Sequence, residues 1–189
     1  LGTGVSQGLL TGGKTLGACT VNRPSGELSL FDAFTSNNTL TITAGTFTTN
    51  NYAVTATSLS SSNTNTRTIN LGGSTVTLSA LTAVNFTTST NLTFNAGTST
   101  LICSAASASV TGGGLAFYDI QYTSTSSTNR ALDNVGSARN ITVSGLSSTG
   151  ITAFVVSANT TITGTLTLSA GTNATMRTFV RSDILGTPR

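Results

Sequence analysis

Charge is what this chain has least of: 7% of its residues are Asp, Glu, Lys or Arg, against about 25% in ordinary globular domains. A surface of alternating Lys and Glu is therefore excluded. Histidine is absent, which removes the usual general base of Ser-His-Asp and Cys-His catalysis and the mixed Cys and His ligand sets of zinc. The five acids are Glu27, Asp32, Asp119, Asp133 and Asp183. A glycan-hydrolysing pair needs two carboxyls about 5 to 9.5 Å apart, and Glu27 with Asp32 and Asp119 with Asp133 are the pairs nearest in sequence. Alternation along 114–122 turns Asp119 away from Tyr118 and Ile120, as expected of a surface acid. Without an Asp cluster there is no calcium cage, and no cofactor is expected.

Other absences narrow the field further. No apolar run approaches the roughly 18 residues of a membrane-spanning helix, and the start lacks the basic and apolar pattern of a signal peptide. Membrane insertion is not expected. The net charge of +3 comes from Lys14, Arg23, Arg67, Arg130, Arg139, Arg177, Arg181 and Arg189 against the five acids, too dispersed for the basic face that nucleic acid requires. With 2 Pro and 37% hydrophobic residues, the chain also lacks the signature of disorder.

Thr and Ser fill the space left by charge, at about a third of all residues. Thr, Val and Ile are branched at Cβ and suit strands better than helices, so the chain reads as all-β. Any helix is minor; 26–34 is the best place for one, although its alternation suits a strand nearly as well. Residues 1–27 read as a Gly-rich lead-in or linker, and 28–189 as one repeat-built β domain, part of a longer polypeptide. Short alternating runs are predicted as strands at 39–43, 52–57, 68–71, 75–79, 83–87, 91–95, 100–103, 109–111, 115–122, 140–144, 152–157, 160–164 and 165–169.

One phrase recurs as Leu40-Thr41-Ile42-Thr43-Ala44-Gly45-Thr46, Leu92-Thr93-Phe94-Asn95-Ala96-Gly97-Thr98 and Leu166-Thr167-Leu168-Ser169-Ala170-Gly171-Thr172. The copies are expected at equivalent edges of successive turns of unequal length. That phrase, the scarcity of Asn-Gly and Asp-Gly hairpin turns and the polar runs favour a β-solenoid; a β-sandwich is the alternative.

Three features bear on function. Phe117, Tyr118 and Tyr122 form the only dense aromatic group, readable as a sugar-stacking platform or as an ordinary core strand. Cys19 and Cys103 are either two buried thiols or one disulfide. Thr-x-Thr triplets begin at Thr41, Thr66, Thr75, Thr123, Thr161 and Thr165, and stacked regularly they would resemble the ice-binding face of some antifreeze proteins. Their uneven steps, and Arg67 and Ser124 at two of the centres, argue against that arrangement. Gly112-Gly113-Gly114, without Lys or a following helix, is read as a bend or close backbone approach and not as a phosphate loop.

From Ala96-Gly97-Thr98-Ser99-Thr100-Leu101 to Phe117-Tyr118-Asp119-Ile120, and loosely over 38–181, the chain resembles repeats of phage virion structural proteins and bacterial surface adhesins. The resemblance implies a β-solenoid module, often oligomeric, in a virion appendage or at a cell surface, with no catalytic residues. The expectation is a non-enzymatic structural module of a phage fibre, tail or capsid-associated appendage, partnered by itself or other virion proteins. The alternatives are a glycan-binding adhesin module that meets a host surface through Phe117, Tyr118 and Tyr122 and, more remotely, an ice-binding protein.

Overall fold

A computed structural model of the chain describes residues 5–169, 171 and 173–184. Among them every regular element is a strand and every pairing is parallel. No helix among the described residues is long and apolar enough to cross a membrane. The lower coils hold β1 (Ser6–Leu9), β2 (Thr15–Leu16), β3 (Cys19–Leu30), β4 (Phe34–Ser36), β5 (Leu40–Thr48) and β6 (Val54–Ala56). The middle coils hold β7 (Leu59–Ser60), β8 (Arg67–Asn70), β9 (Thr75–Leu78), β10 (Thr82–Asn85), β11 (Leu92–Asn95) and β12 (Thr100–Cys103). Above them lie β13 (Ser109–Thr111), β14 (Ala116–Tyr122), β15 (Arg130–Asp133), β16 (Ser137–Val143), β17 (Gly150–Val156), β18 (Thr161–Ile162), β19 (Leu166–Leu168) and β20 (Met176–Ser182).

These strands stack into a β-solenoid of about eight turns, which excludes the antiparallel sandwich. Hydrogen bonding links them into an 11-stranded and a 9-stranded sheet, but the register gives each full coil three sides. Leu40 and Thr41 of β5 pair with β7, whereas Gly45 to Thr48 pair with β8, so β5 runs through a corner. In the upper coils β14 and β16 round the next corner instead. The first face carries the start of β5, then β7, β10, β13 and β15. On the second lie β1, the ends of β3 and β5, then β8 and β11, continued by the starts of β14 and β16. The third is built from β2, β4, β6, β9, β12, the ends of β14 and β16, and β19.

Alternation then sorts the side chains. On the third face Phe34, Val54, Val76, Leu101, Ile120, Ile141 and Leu166 occupy one stacked column, and the first six of them belong to the buried core. On the first face Leu40, Leu59, Val84, Val110 and Leu132 do the same. Each isolated coil would expose this apolar side, and stacking is what removes it from water. Coil length varies, because the third-face column advances by 20, 22, 25, 19, 21 and 25 residues between those stacked partners. The corners absorb the difference.

Two sequence expectations change here. The stretch up to residue 27 is not a separate lead-in: β1, β2 and β3 pair with the following coils over that stretch. The repeated phrase does not mark equivalent edges either. Leu40 starts on the first face, Leu92 pairs with Arg67 on the second, and Leu166 pairs with Ile141 on the third. In the copies from Leu40 and Leu92 it encodes strand residues followed by a Gly with positive φ, on different sides of the coil.

Candidate functional site

The three aromatic candidates do not share a surface. Phe117 points inward on the second face, its ring centroid 4.8 Å from Phe94 and 6.3 Å from Phe86. Tyr122 is buried on the third face, its hydroxyl donating to Ala131 O at 2.7 Å. Burial, and secondarily the neighbouring Cys103, pushes that phenol well above its ordinary pKa. Tyr118 alone faces outward, and the Arg139 guanidinium lies 4.7 Å over its ring and donates to its hydroxyl. The aromatic platform is thus one core cluster and one capped tyrosine.

The carboxylates are dispersed. Asp32 accepts from Thr11 N, Thr11 Oγ1 and Gly12 N, and these bonds, the one from the Thr11 backbone foremost, hold its carboxyl below the usual range. Asp119 accepts from Asn140 on the third face, whereas Asp133 accepts from Ser157 and Thr111 on the first. Glu27 accepts from Ser29. Among the described residues no three His, Cys, Asp or Glu side chains come together as a metal site. Gly113 has φ +61°, and a Cβ there would meet Phe86 O at 2.3 Å, so the triple glycine makes the close approach expected of it.

Cys19 and Cys103 are free. Cys19 lies on the first face and Cys103 on the third, three coils further along. At about 4.8 Å per coil the pair is beyond the roughly 7 Å Cα reach of a disulfide, so the bond considered from the sequence does not form within the chain. Burial raises the Cys19 thiol and pushes Cys103 up to about 12. Because the thiolate is the reactive form, Ellman's reagent at mildly alkaline pH should titrate Cys19 slowly and reach Cys103 only on unfolding. Two rapid, equal reactions in the native state would contradict this placement.

Sequence reasoning missed the buried arginines. Arg67 is 1% exposed, pointing inward at the centre of a Thr-x-Thr triplet. All of its nitrogens are satisfied: Nε donates to Ser61 Oγ at 2.8 Å, one terminal nitrogen to Asn65 O and Thr90 O at 2.8 and 2.7 Å, the other to Ser61 O and Thr88 O at 2.8 and 2.7 Å. Carbonyl dipoles thus replace water around a cation with no carboxylate partner among the described residues, and burial lowers its pKa. Arg130 repeats the device in part at another corner, its terminal nitrogens donating to Thr128 O, Ser124 O and Thr152 Oγ1 while its buried Nε has no partner among the described residues. A cavity of about 580 Å³ beside Arg67 is lined by Asn22, Ser25, Gly45, Asn65 and Thr66. It offers amides, hydroxyls and backbone, and no acid or base positioned for catalysis.

The Thr-x-Thr triplets divide among the faces, and the third face carries a threonine row to which those from Thr75 and Thr165 contribute Thr77 and Thr167. Thr15, Thr35, Thr55 and Thr77 stack outward, coil on coil; Ile102 and Gln121 follow, then Thr142 and Thr167. Uneven sequence steps therefore do not prevent spatial register, since the excess residues sit in corners. Compared with family models, curated proteins and solved structures, the chain matches none.

Proposed function

We propose that this chain is a non-enzymatic structural module, a rigid segment of a virion or cell-surface appendage that assembles by stacking coil upon coil with a second copy. The observation that carries this reading is the stack of about eight parallel coils around one apolar interior, with no cluster of metal-ligating side chains among the described residues. β20 pairs with β17 on one side, and no other strand among the described residues covers its other edge. Ile151, Phe179 and Val180 are 63%, 45% and 45% exposed there, with Leu166 and Ile184 also exposed. A free parallel edge beside uncovered apolar side chains is a template for one more coil.

Low charge supports the same reading, because few like charges would oppose contact between copies. The scattered carboxylates and the lack of histidine favour a structural over a catalytic role. A glycan-binding reading would now rest on Tyr118 alone, since Phe117 and Tyr122 lie in the core.

Sedimentation equilibrium over a range of concentrations tests the assignment. The chain should associate reversibly, and Val180→Lys, which places a charge on the open edge, should leave it monomeric with an unchanged β-type circular-dichroism spectrum. A parent chain that stays monomeric throughout, or a variant that associates as well as the parent, would sink the reading.

A further inference from the structure

We propose that the lower part of the third face is a water-ordering surface that adsorbs to ice. Its centre is the unbroken column Thr15, Thr35, Thr55 and Thr77, paired position by position. Thr57 and Ser79 follow in the flanking column, with Ser79 N donating to Thr57 O at 3.1 Å.

This column is the longest unbroken run of stacked threonines among the described residues; the second-face column Thr46, Thr68 and Thr93 is shorter and follows directly on the charged Glu27. None of the hydroxyls of Thr15, Thr35, Thr55 and Thr77 has a hydrogen-bond partner among the described residues. Some other outward polar groups bond to each other up the stack: Asn70 donates to Thr48 at 3.1 Å and Asn95 to Asn70 at 2.7 Å on the second face, and Thr39 and Ser58 share a bond of 2.9 Å at the edge of the first. Those ladders satisfy themselves. The third-face column presents donors and acceptors to whatever lies outside.

Geometry makes that presentation periodic. Parallel strands repeat every ~4.8 Å across the stack, and outward residues two apart repeat every ~6.6 Å along the strand. Threonine is stiff at χ1, so stacked copies in like surroundings hold hydroxyl and methyl alike. The methyls leave troughs, the hydroxyls pin water at their edges, and the repeat across the stack lies close to that of oxygen rows in hexagonal ice. Charge would break such a layer; Asp119 lies on a higher coil and is already bonded to Asn140, and Lys14 lies at the lower edge, one residue before Thr15. No aromatic ring projects from the column, as stacking on a sugar would require; Tyr122 of this face points inward. A flat, neutral, hydroxylated grid fits a flat hydroxylic lattice.

The test is uptake of the purified chain into a slowly growing ice hemisphere, with inhibition of ice recrystallisation as a second readout. The parent should enter the ice. Thr55→Lys and Thr77→Lys should lose most of that uptake, whereas Thr93→Lys, exposed on the second face, should keep it. Circular dichroism checks the fold of each, and the near-isosteric Thr55→Val reads loss of the hydroxyl alone and should fall between parent and lysine variant. Exclusion of the parent from ice, uptake of Thr55→Lys equal to the parent's, or an equal loss in Thr93→Lys would each overturn the proposal. The measurement does not depend on end-to-end assembly, because Val180→Lys should enter ice as the parent does.

Discussion

Replacing Arg67 by alanine should lower folding stability by about 3 to 5 kcal/mol, the cost of removing one partner from a buried charged network. The reason lies less in the lost attraction than in what is left behind. Four carbonyl oxygens, of Ser61, Asn65, Thr88 and Thr90, take their guanidinium bonds from this one side chain, and a buried acceptor left unsatisfied costs about 1 to 3 kcal/mol. Lysine should not rescue the site. An ammonium has three donors at a point where a planar fork of five is used, so Arg67→Lys should fall well short of the parent. Urea unfolding followed by circular dichroism measures both variants, and a parental midpoint for the alanine variant would show that the corner is held by something else.

The second large effect is expected at the same corner, one coil below. Gly45 sits where β5 turns from the first face to the second, at φ +83°. A Cβ there would lie 1.9 Å from Arg23 O and 2.7 Å from Gly26 O, both backbone atoms of the coil beneath. Gly45→Ala must therefore move one coil away from the next, breaking ladder bonds as well as straining the turn, at about 3 kcal/mol or more. Gly12 provides the comparison. It shares the left-handed backbone, with φ +61°, but has nothing within 4 Å of a Cβ, so Gly12→Ala should cost only about 1 kcal/mol of backbone strain. Equal losses of Tm in the two variants would refute the close approach.

The same corners explain which parts of the fold could be read from the sequence. Runs such as Thr75–Leu78 and Thr100–Cys103 alternate cleanly because each lies within one face, and their strands were predictable. The lower end was not. Arg23-Pro24-Ser25-Gly26 looks like a loop, yet it lies inside β3, where the register slips between Asn22 and Glu27 and Ser25 adopts φ 61°. Arg130 disguised β15 in a similar way, since a charged residue at an inward position defeats any hydrophobic pattern.

Aromatic placement failed for another reason. Strict alternation puts Phe117 opposite Ile120 and Tyr122, but all three point inward. Between them β14 rounds a corner, and its pairing with β16 passes from Phe117 and Ala138 to Asp119 and Asn140. Period two holds on each side of a bend and is lost across it. For the threonine row the triplets were the wrong unit: Thr15 and Thr35 lie outside them, and linear distance says nothing about register when the surplus is stored in corners. The column Thr15, Thr35, Thr55, Thr77 becomes visible only once the coils are laid on one another.

Unequal coils have a consequence for change along the chain. Because the surplus loops out at the vertices while the ladders keep their pitch, a peptide grafted at a vertex such as 124–129 would be held at a height fixed by its coil number. Successive vertices are graduations about 4.8 Å apart. The molecule works as a ruler, on which inserts of different size can be mounted at defined levels without disturbing the scale.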